Sequence, residues 1–173
     1  MQSFTSVKPK ALRLWHCGLS IVVGIDKMQT TIYFDMDGTI ADLYNVKDWL
    51  SRLRQEDETP YIEAKPMINA ILFQTLINAI KHKGYKVGVI TWTSKGARAE
   101  YNKRIAQAKK QWLRDTFPHI IWDEIHVIKY GINKSSVALN PKGILFDDNT
   151  HVRNAWRGVA LPPEMIEKTL KSL

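Results

Sequence analysis

Short apolar runs alternate along this chain with longer segments in which apolar residues recur at helical spacing. The runs occupy residues 30–34, 87–91, 120–122, 125–128 and 143–146. Runs of this length, rich in β-branched side chains and bounded by polar residues, are typical of buried strands. Strands that alternate with helices predict βαβ crossovers and a mainly parallel sheet. The expected fold class is therefore α/β, a Rossmann-like three-layer sandwich.

Four amphipathic segments between and after these runs predict helices. The first is short and opens an insert at about residues 42–65; the second runs from Pro66 to Gly84, the third covers 97–116, and the fourth covers 163–173. Apolar residues at i, i+3, i+4 and i+7 mark a buried helix face, and charges are expected elsewhere on the third helix. The predicted buried faces are Val46, Trp49, Leu50 and Leu53, then Met67, Ile68, Ile71, Leu72, Leu76 and Ile80, then Tyr101, Ile105, Ala108 and Trp112.

Polar side chains stand where three of the predicted strands end. The carboxyl ends of parallel strands meet at one edge of a sheet, and open α/β folds bind ligands there. Taken alone, Asp-Met-Asp-Gly also suits an ordinary turn, because Asp and Gly are common turn residues. Taken together, the polar groups offer a metal cage, a hydroxyl and a cation, which suits phosphate chemistry. They are Asp35 and Asp37 after the first run, Thr91 at the end of the second, Asp147 and Asp148 after the last, and Lys134 in the loop at 130–135.

The order and spacing of these residues resemble the haloacid dehalogenase superfamily of phosphotransferases over about residues 29–160. The first motif of that superfamily, Asp-x-Asp-x-Thr, is matched by Asp35, Asp37 and Thr39. Its second motif, a hydrophobic strand that ends in Thr or Ser, is matched at Thr91. Its fourth motif, an acidic pair, is matched at residues 147–148.

The third motif of the superfamily is a single lysine. Lys134 is the better candidate, and Lys129 and Lys142 are the alternatives. Within the superfamily, Asp-Met-Asp-Gly-Thr-Ile-Ala-Asp and Ile-Leu-Phe-Asp-Asp-Asn are most similar to the C-type 5'(3')-deoxyribonucleotidases and related phage and bacterial phosphatases. The chain has no Gly-x-Gly-x-x-Gly turn, so a dinucleotide is not expected despite the architecture.

The resemblance implies an enzyme that hydrolyses phosphomonoesters through a covalent intermediate. Asp35 would attack phosphorus and become an aspartyl phosphate, which divides one hard displacement into two easier ones. Asp37 would protonate the leaving oxygen and later deprotonate the attacking water. Thr91 would donate to a phosphoryl oxygen, and Lys134 would offset negative charge.

The resemblance also implies a magnesium ion, which prefers carboxylate, carbonyl, water and phosphate oxygens. The expected ligands are the Asp35 carboxylate, the Asp37 backbone carbonyl and Asp148, with Asp147 close by. The sequence leaves open which member of that acidic pair binds the ion directly.

The insert at about residues 42–65 matches the position of the cap that covers the active site in the superfamily, and it predicts a small helical cap. Tyr44, Trp49 and Tyr61 are the candidates for stacking on a nucleobase; for Trp49 the competing interpretation, that it anchors the cap helix, is the favoured one. Further substrate contacts are expected from Gly38 and Thr39 beside the acids, and from Trp92 and Lys95 after the second motif.

The charge of the chain favours an anionic partner. Its 173 residues carry a formal net charge of +8, which suits nucleotides, nucleic acid or an acidic surface. The leading prediction is a magnesium-dependent nucleotidase whose substrate is a small phosphorylated molecule, a nucleotide. The alternatives are a phosphatase for nucleic-acid ends and a non-catalytic nucleic-acid-binding module; intact Asp35 and Asp37 argue against the module. The sequence sets no oligomeric state.

The N-terminal part of the chain differs from the rest. Residues 14–25 are apolar and follow basic residues, but the stretch is shorter than the ~20 residues of a membrane span, so no membrane partner is expected. The first strand follows Met28 at once, which predicts an extension at 1–27 and one catalytic domain at 28–173. The single cysteine, Cys17, excludes an internal disulfide and favours the cytoplasm, a reducing compartment.

Overall fold

The computed structural model describes residues 30–173 and the backbone of two earlier strands, Ala11–His16 (β1) and Leu19–Gly24 (β2). These two strands form an antiparallel hairpin. Cys17, the predicted boundary at Met28 and the side chains of the predicted extension lie outside the described residues. In the described part, no helix combines the length and apolarity that a membrane crossing needs.

The remaining elements are seven strands and six α-helices within residues 30–173. The strands are β3 (Thr31–Phe34), β4 (Ala41–Asp42), β5 (Lys65–Pro66), β6 (Lys86–Trp92), β7 (Glu124–Ile128), β8 (Ile144–Phe146) and β9 (Val159–Leu161). The helices are α1 (Trp49–Arg54), α2 (Thr59–Glu63), α3 (Ala70–His82), α4 (Ala99–Thr116), α5 (Thr150–Ala155) and α6 (Ile166–Ser172).

Five strands form one parallel sheet in the order β7-β6-β3-β8-β9. The predicted Rossmann-like α/β fold with a parallel sheet is confirmed. From β3 the chain adds β6 and β7 on one side, then returns to add β8 and β9 on the other. The strand order therefore reverses between β3 and β8, and folds of this kind bind ligands outside such a reversal.

Apolar side chains cover both faces of the sheet. On one face, Phe34 and Phe146 stack with ring centroids 5.4 Å apart, and residues of α3, α4 and α6 pack around them. On the other face, Tyr33 meets Trp156 edge to face at 5.4 Å. Side chains alternate between the two faces of the sheet along each strand. Because both faces are buried, the strands consist almost entirely of apolar residues.

The prediction for the second helix is wrong in its start and in part of its buried face, although Ile80 is buried as predicted. Pro66 lies in β5, and α3 begins only after Asn69, whose side chain accepts from Leu72 N. Ile71 is 77% exposed. Two apolar stripes overlap in this segment, and the stripe that contains Phe73 faces the sheet. The buried residues of α3 are Phe73, Gln74, Ile77 and Ile80.

The predicted strand at residues 120–122 is also wrong. Ile121 is exposed, and β7 starts at Glu124, opposite Gly88 of β6. Asp123 fixes this start, because its carboxylate accepts from Val87 N and its own N–H donates to Val87 O.

The insert is a short antiparallel pair of strands, β4 and β5, that carries α1 and α2. Its apolar residues Leu43, Leu53 and Tyr61 pack with Tyr101 and Ile105 of α4. Three arginines add ion pairs between the insert's acids and either α1 or α4. They are Arg52 with Asp57 and Glu63, Arg98 with Glu56, and Arg104 with Glu58.

Candidate active site

Three carboxylates converge at the carboxyl ends of β3 and β8. Asp35 follows β3, and its N–H donates to Phe146 O at 2.8 Å, which ties the two strand ends together. Oxygens of Asp35, Asp147 and Asp148 all lie within 4.8 Å of one another. Asp35 and Asp147 are buried, whereas Asp148 is exposed. The structure therefore brings the first and fourth predicted motifs together at the strand-order reversal.

Lys134 lies between two of these acids. Its Nζ donates to Asp35 Oδ1 at 2.6 Å and to Asp147 Oδ2 at 2.7 Å, and the side chain is 2% exposed. Burial disfavours the charged ammonium, but the two carboxylates outweigh burial and raise the pKa of Lys134. The two alternatives, Lys129 and Lys142, are exposed. Lys134 is thus the candidate that the fold places in the site.

Burial also alters the acids themselves. It is the main cause that raises the pKa of Asp147 to about 7; partial burial of the Asp148 carboxyl raises its pKa to about 6, and the nearby Asp35 carboxylate acts in the same direction on both. Three carboxylates this close repel one another when all are ionised. A cation with oxygen ligands would relieve that repulsion.

A second buried lysine holds Asp37. Lys109 of α4 is fully buried, and its Nζ donates to Asp37 Oδ2 at 2.6 Å and to Thr91 Oγ1 and Trp92 O at 2.8 Å. The ammonium also lies 4.7 Å from the centroid of the Tyr61 ring. Burial raises the pKa of the Asp37 carboxyl, although Lys109 opposes that shift.

Sequence reasoning missed Lys109, and the expectation of charges only off the apolar face of this helix is wrong. The signal was its spacing: Lys109 stands four residues after Ile105 and eight after Tyr101, on the buried stripe.

Thr91 and Thr93 occupy different surroundings. Thr91 is fully buried, and its hydroxyl accepts from Lys109. Thr93 is 5% exposed, lines the cleft above the acids, and has no hydrogen-bond partner for Oγ1 among the described residues. Its N–H donates to Ile128 O at 2.7 Å, one position beyond the end of β6. The free hydroxyl at the site is that of Thr93.

The turn after β3 supports the acidic pair. Gly38 has φ +72°, and a Cβ there would lie 2.6 Å from both Asp148 Oδ2 and a ring carbon of Tyr44. Thr39 is 1% exposed, and its Oγ1 accepts from Asp148 N at 3.1 Å. The two residues shape the site through Asp148, and their contact with substrate stays a prediction.

Arg153 of α5 holds the same pair from the other side. Its Nη1 donates to the backbone carbonyls of Asp147 and Asp148, both at 2.7 Å. Asn149 N donates to Asp147 Oδ1 at 2.9 Å. These contacts fix the backbone that carries the carboxylates, and sequence reasoning gave Arg153 no such role.

A cleft of about 440 Å³ opens above the acids. The insert contributes Tyr44 and Trp49, whose ring centroids are 5.2 Å apart, and the core contributes Trp92 and Tyr130 at 4.8 Å. Lys95 also lines the cleft. The four residues predicted for substrate from the insert and the segment after β6 thus reach one cleft, and Tyr130 joins them unpredicted.

The aromatic residues are positioned by contacts of their own. Trp92 Nε1 donates to Ile132 O at 2.9 Å, and the Trp92 ring lies 5.4 Å from Lys134 Nζ. Trp49 is half-buried against the apolar cluster of the insert and α4. Tyr44 is 49% exposed, and its hydroxyl lies 3.5 Å from Asp148 Oδ2. Trp49 therefore packs in the insert and also faces the cleft.

Comparison with solved structures extends the picture of the fold. A chain from the structure of the Pnkp1/Rnl/Hen1 RNA repair complex superposes with a TM-score of 0.53 and 15% identity, covering 86% of this chain and 46% of that one. The two chains share a fold. This protein spans about half the length of that chain. D,D-heptose 1,7-bisphosphate phosphatase from Burkholderia thailandensis superposes with a TM-score of 0.47 and 14% identity, covering 73% of this chain and 71% of that one.

Comparison with protein-family models and with curated protein sequences gave no match.

Proposed function

We propose that this protein is a magnesium-dependent phosphomonoester hydrolase of the haloacid dehalogenase type, acting on nucleotides through an aspartyl phosphate at Asp35. The observation that carries the proposal is the convergence of Asp35, Asp147 and Asp148 around Lys134 at the reversal of strand order. Phosphoryl transfer depends mainly on in-line positioning and charge neutralisation, and this cluster offers groups for both.

Asp35 is the proposed nucleophile. Lys134 donates to one of its oxygens, which leaves the second oxygen to attack. Attack forms an Asp35 oxygen–phosphorus bond and breaks the ester oxygen–phosphorus bond. The leaving oxygen takes a proton from Asp37, whose carboxyl Lys109 holds in place. In the second step Asp37 accepts a proton from water, whose oxygen displaces the Asp35 carboxylate from phosphorus.

The donor set fits magnesium. The cluster is all carboxylate oxygen, and two of its three members have raised pKa values that a bound cation would lower. Asp35, Asp148 and the Asp37 carbonyl would hold the ion, with Asp147 paired to Lys134 beside them. When bound, the ion supplies positive charge to the phosphoryl oxygens.

Thr93 takes the role in this proposal that the sequence predicts for Thr91. A buried hydroxyl without a partner costs about 1–3 kcal/mol unless a ligand satisfies it. The Thr93 Oγ1 is such a group, whereas the Thr91 hydroxyl is already bonded to Lys109. A phosphoryl oxygen above Asp35 would accept from Thr93.

The aromatic lining favours a nucleotide over a sugar phosphate. Tyr44 and Trp49 on the insert and Trp92 and Tyr130 on the core give the cleft flat apolar surfaces near the acids. Stacking of a base on an aromatic side chain contributes about 1–3 kcal/mol in single-strand binders. A sugar phosphate has no comparable π-face.

Release of phosphate from a substrate panel tests this proposal. The panel is an aryl phosphate, nucleoside 5'- and 3'-monophosphates and a hexose phosphate, each with magnesium or with excess chelator. We expect turnover with magnesium only, highest kcat/KM for nucleotides, and no turnover by Asp35→Asn, whose circular-dichroism spectrum should match that of the original chain. Activity of Asp35→Asn at the original rate would exclude the covalent step, and preference for the hexose phosphate would exclude the nucleotide.

A further inference from the structure

The cleft is lined by two cations that have no acidic partner among residues 30–173. Arg54 is the last residue of α1, and Lys95 lies in the loop after β6; both are exposed. Lys95 Nζ lies 5.9 Å from the centroid of the Tyr130 ring. Neither side chain forms an ion pair within the described part of the chain.

Two neighbouring arginines that lie outside the cleft are paired. Arg52, two residues before Arg54 on the same helix, binds both Asp57 and Glu63. Arg98, three residues after Lys95, binds Glu56. Arg52 and Arg98, which lie outside the cleft, thus have acidic partners in the insert. Arg54 and Lys95, which line the cleft, have none among residues 30–173.

The buried lysines of the site are also neutralised from within. Lys134 is paired with Asp35 and Asp147, and Lys109 with Asp37. Of the described cations that line the cleft, Arg54 and Lys95 are therefore the ones without an acidic partner, and they share this lining with the aromatic residues. A substrate that carries only the reacting phosphate would place its negative charge at the acids and the metal, and would leave both exposed cations unpaired.

We propose that Arg54 and Lys95 form a second anion subsite, which binds a phosphate attached to the same nucleoside as the reacting phosphomonoester. Two sources share this chemistry: a nucleoside 3',5'-bisphosphate, and a 5'-phosphorylated oligonucleotide whose first phosphodiester fills the subsite. Arginine and lysine suit this task, because both donate charge-assisted hydrogen bonds to phosphate oxygens. The inference rests on the proposed phosphatase activity.

Steady-state kinetics with three substrates test the subsite. They are an aryl phosphate, a nucleoside 3',5'-bisphosphate and a 5'-phosphorylated dinucleotide, and a nucleoside 5'-monophosphate serves as the reference for all three. The test variant is Arg54→Ala/Lys95→Ala. The matched control is Lys110→Ala/Arg114→Ala, which removes the same two charges from exposed positions of α4 that do not line the cleft.

For the original chain we expect kcat/KM to be about tenfold higher for a substrate with a second phosphate than for the monophosphate. An exposed ion pair contributes a factor of a few, and the contributions of Arg54 and Lys95 multiply. This ratio should fall to about one in the test variant and stay near ten in the control variant. It should also fall as salt rises, because exposed charges are screened.

The outcomes separate the sources and the two proposals. A raised ratio for both doubly charged substrates supports a subsite open to small molecules, and a raised ratio for the dinucleotide alone supports the same subsite with a nucleic-acid end as its ligand. No preference in the original chain, or a preference that survives in the test variant, overturns the subsite while the phosphatase activity stands. Absence of turnover on all substrates overturns the proposed function itself.

Discussion

Replacement of Lys109 by Met should destabilise the protein strongly without changing the shape of its interior. Methionine keeps the length and the apolar stem of lysine but removes the ammonium that donates to Asp37, Thr91 and Trp92 O. The three acceptors then lose their common donor. The Tyr61 ring, which now faces the ammonium at 4.7 Å, would face a thioether.

The size of the effect follows from burial. Removing one partner of a buried ion pair costs about 3–5 kcal/mol. The side chain of Lys109 is fully buried, but that of Asp37 is 19% exposed and keeps some contact with water. The lower end, about 3 kcal/mol, is therefore expected from the pair, and the two orphaned neutral acceptors add about 1 kcal/mol each. In a chain of this size, 1 kcal/mol shifts the melting temperature by about 2–4 °C, so Lys109→Met should melt about 10–20 °C lower.

Thermal unfolding followed by circular dichroism measures this shift. The control is Lys110→Met, which changes the next residue of the same helix at an exposed position and should melt within about 2 °C of the original chain. Asp37→Asn/Lys109→Met completes a double-mutant cycle, in which the second change should cost less once the carboxylate is gone. If Lys109→Met melts at the same temperature as Lys110→Met, the reasoning about the buried ammonium is refuted.

Three further substitutions address the cleft. Thr93→Val should lower kcat/KM for every phosphomonoester by about 10- to 100-fold at an unchanged melting temperature. Thr91→Val should instead lower the melting temperature. If activity and melting assays gave the opposite result for the two variants, Thr91 would be the phosphate contact. Gly38→Ala should lower kcat by at least about tenfold, since a Cβ would collide with Asp148 Oδ2 in a backbone conformation of positive φ; unaltered kcat would show that the turn relaxes freely. Trp49→Ala should raise KM for a nucleotide about tenfold and leave KM for a hexose phosphate unchanged, and an equal rise for both would remove the base contact.

The sequence predicts the acidic site well because the geometry behind it is general. Asp35 and Asp147 each follow an apolar run, and parallel strands deliver their carboxyl ends to one edge whatever the connections do. The burial of Lys134 depends on the three-dimensional path of the loop after β7. Its position between β7 and β8 nevertheless restricts the candidates for the lysine of the site to a few. The fold class follows from the same alternation.

Other features depend on pairings that no periodicity reveals. Thr91 and Thr93 are two residues apart and share one side of an extended segment, so the sequence pattern does not distinguish them. The pairing of β6 with β7 does, because it continues to Trp92, opposite Ile128, and leaves Thr93 just past the strand end. Lys109 lies on an apolar stripe, but its burial requires that Asp37, which follows β3, lies beside it in the fold. In α3, Phe73 rather than Ile71 faces the sheet, because two apolar stripes compete and only packing chooses between them.

The clustered carboxylates and the walls of the cleft lie on different kinds of structure. Asp35 and Asp147 are fixed to hydrogen-bonded strand ends, while Tyr44 lies in the insert and Tyr130 in the connection between β7 and β8. A change in the insert can therefore alter which molecules enter without moving the carboxylates. For protein engineering, a library confined to the cleft-facing positions of the insert would vary the walls of the cleft above carboxylates that stay in place.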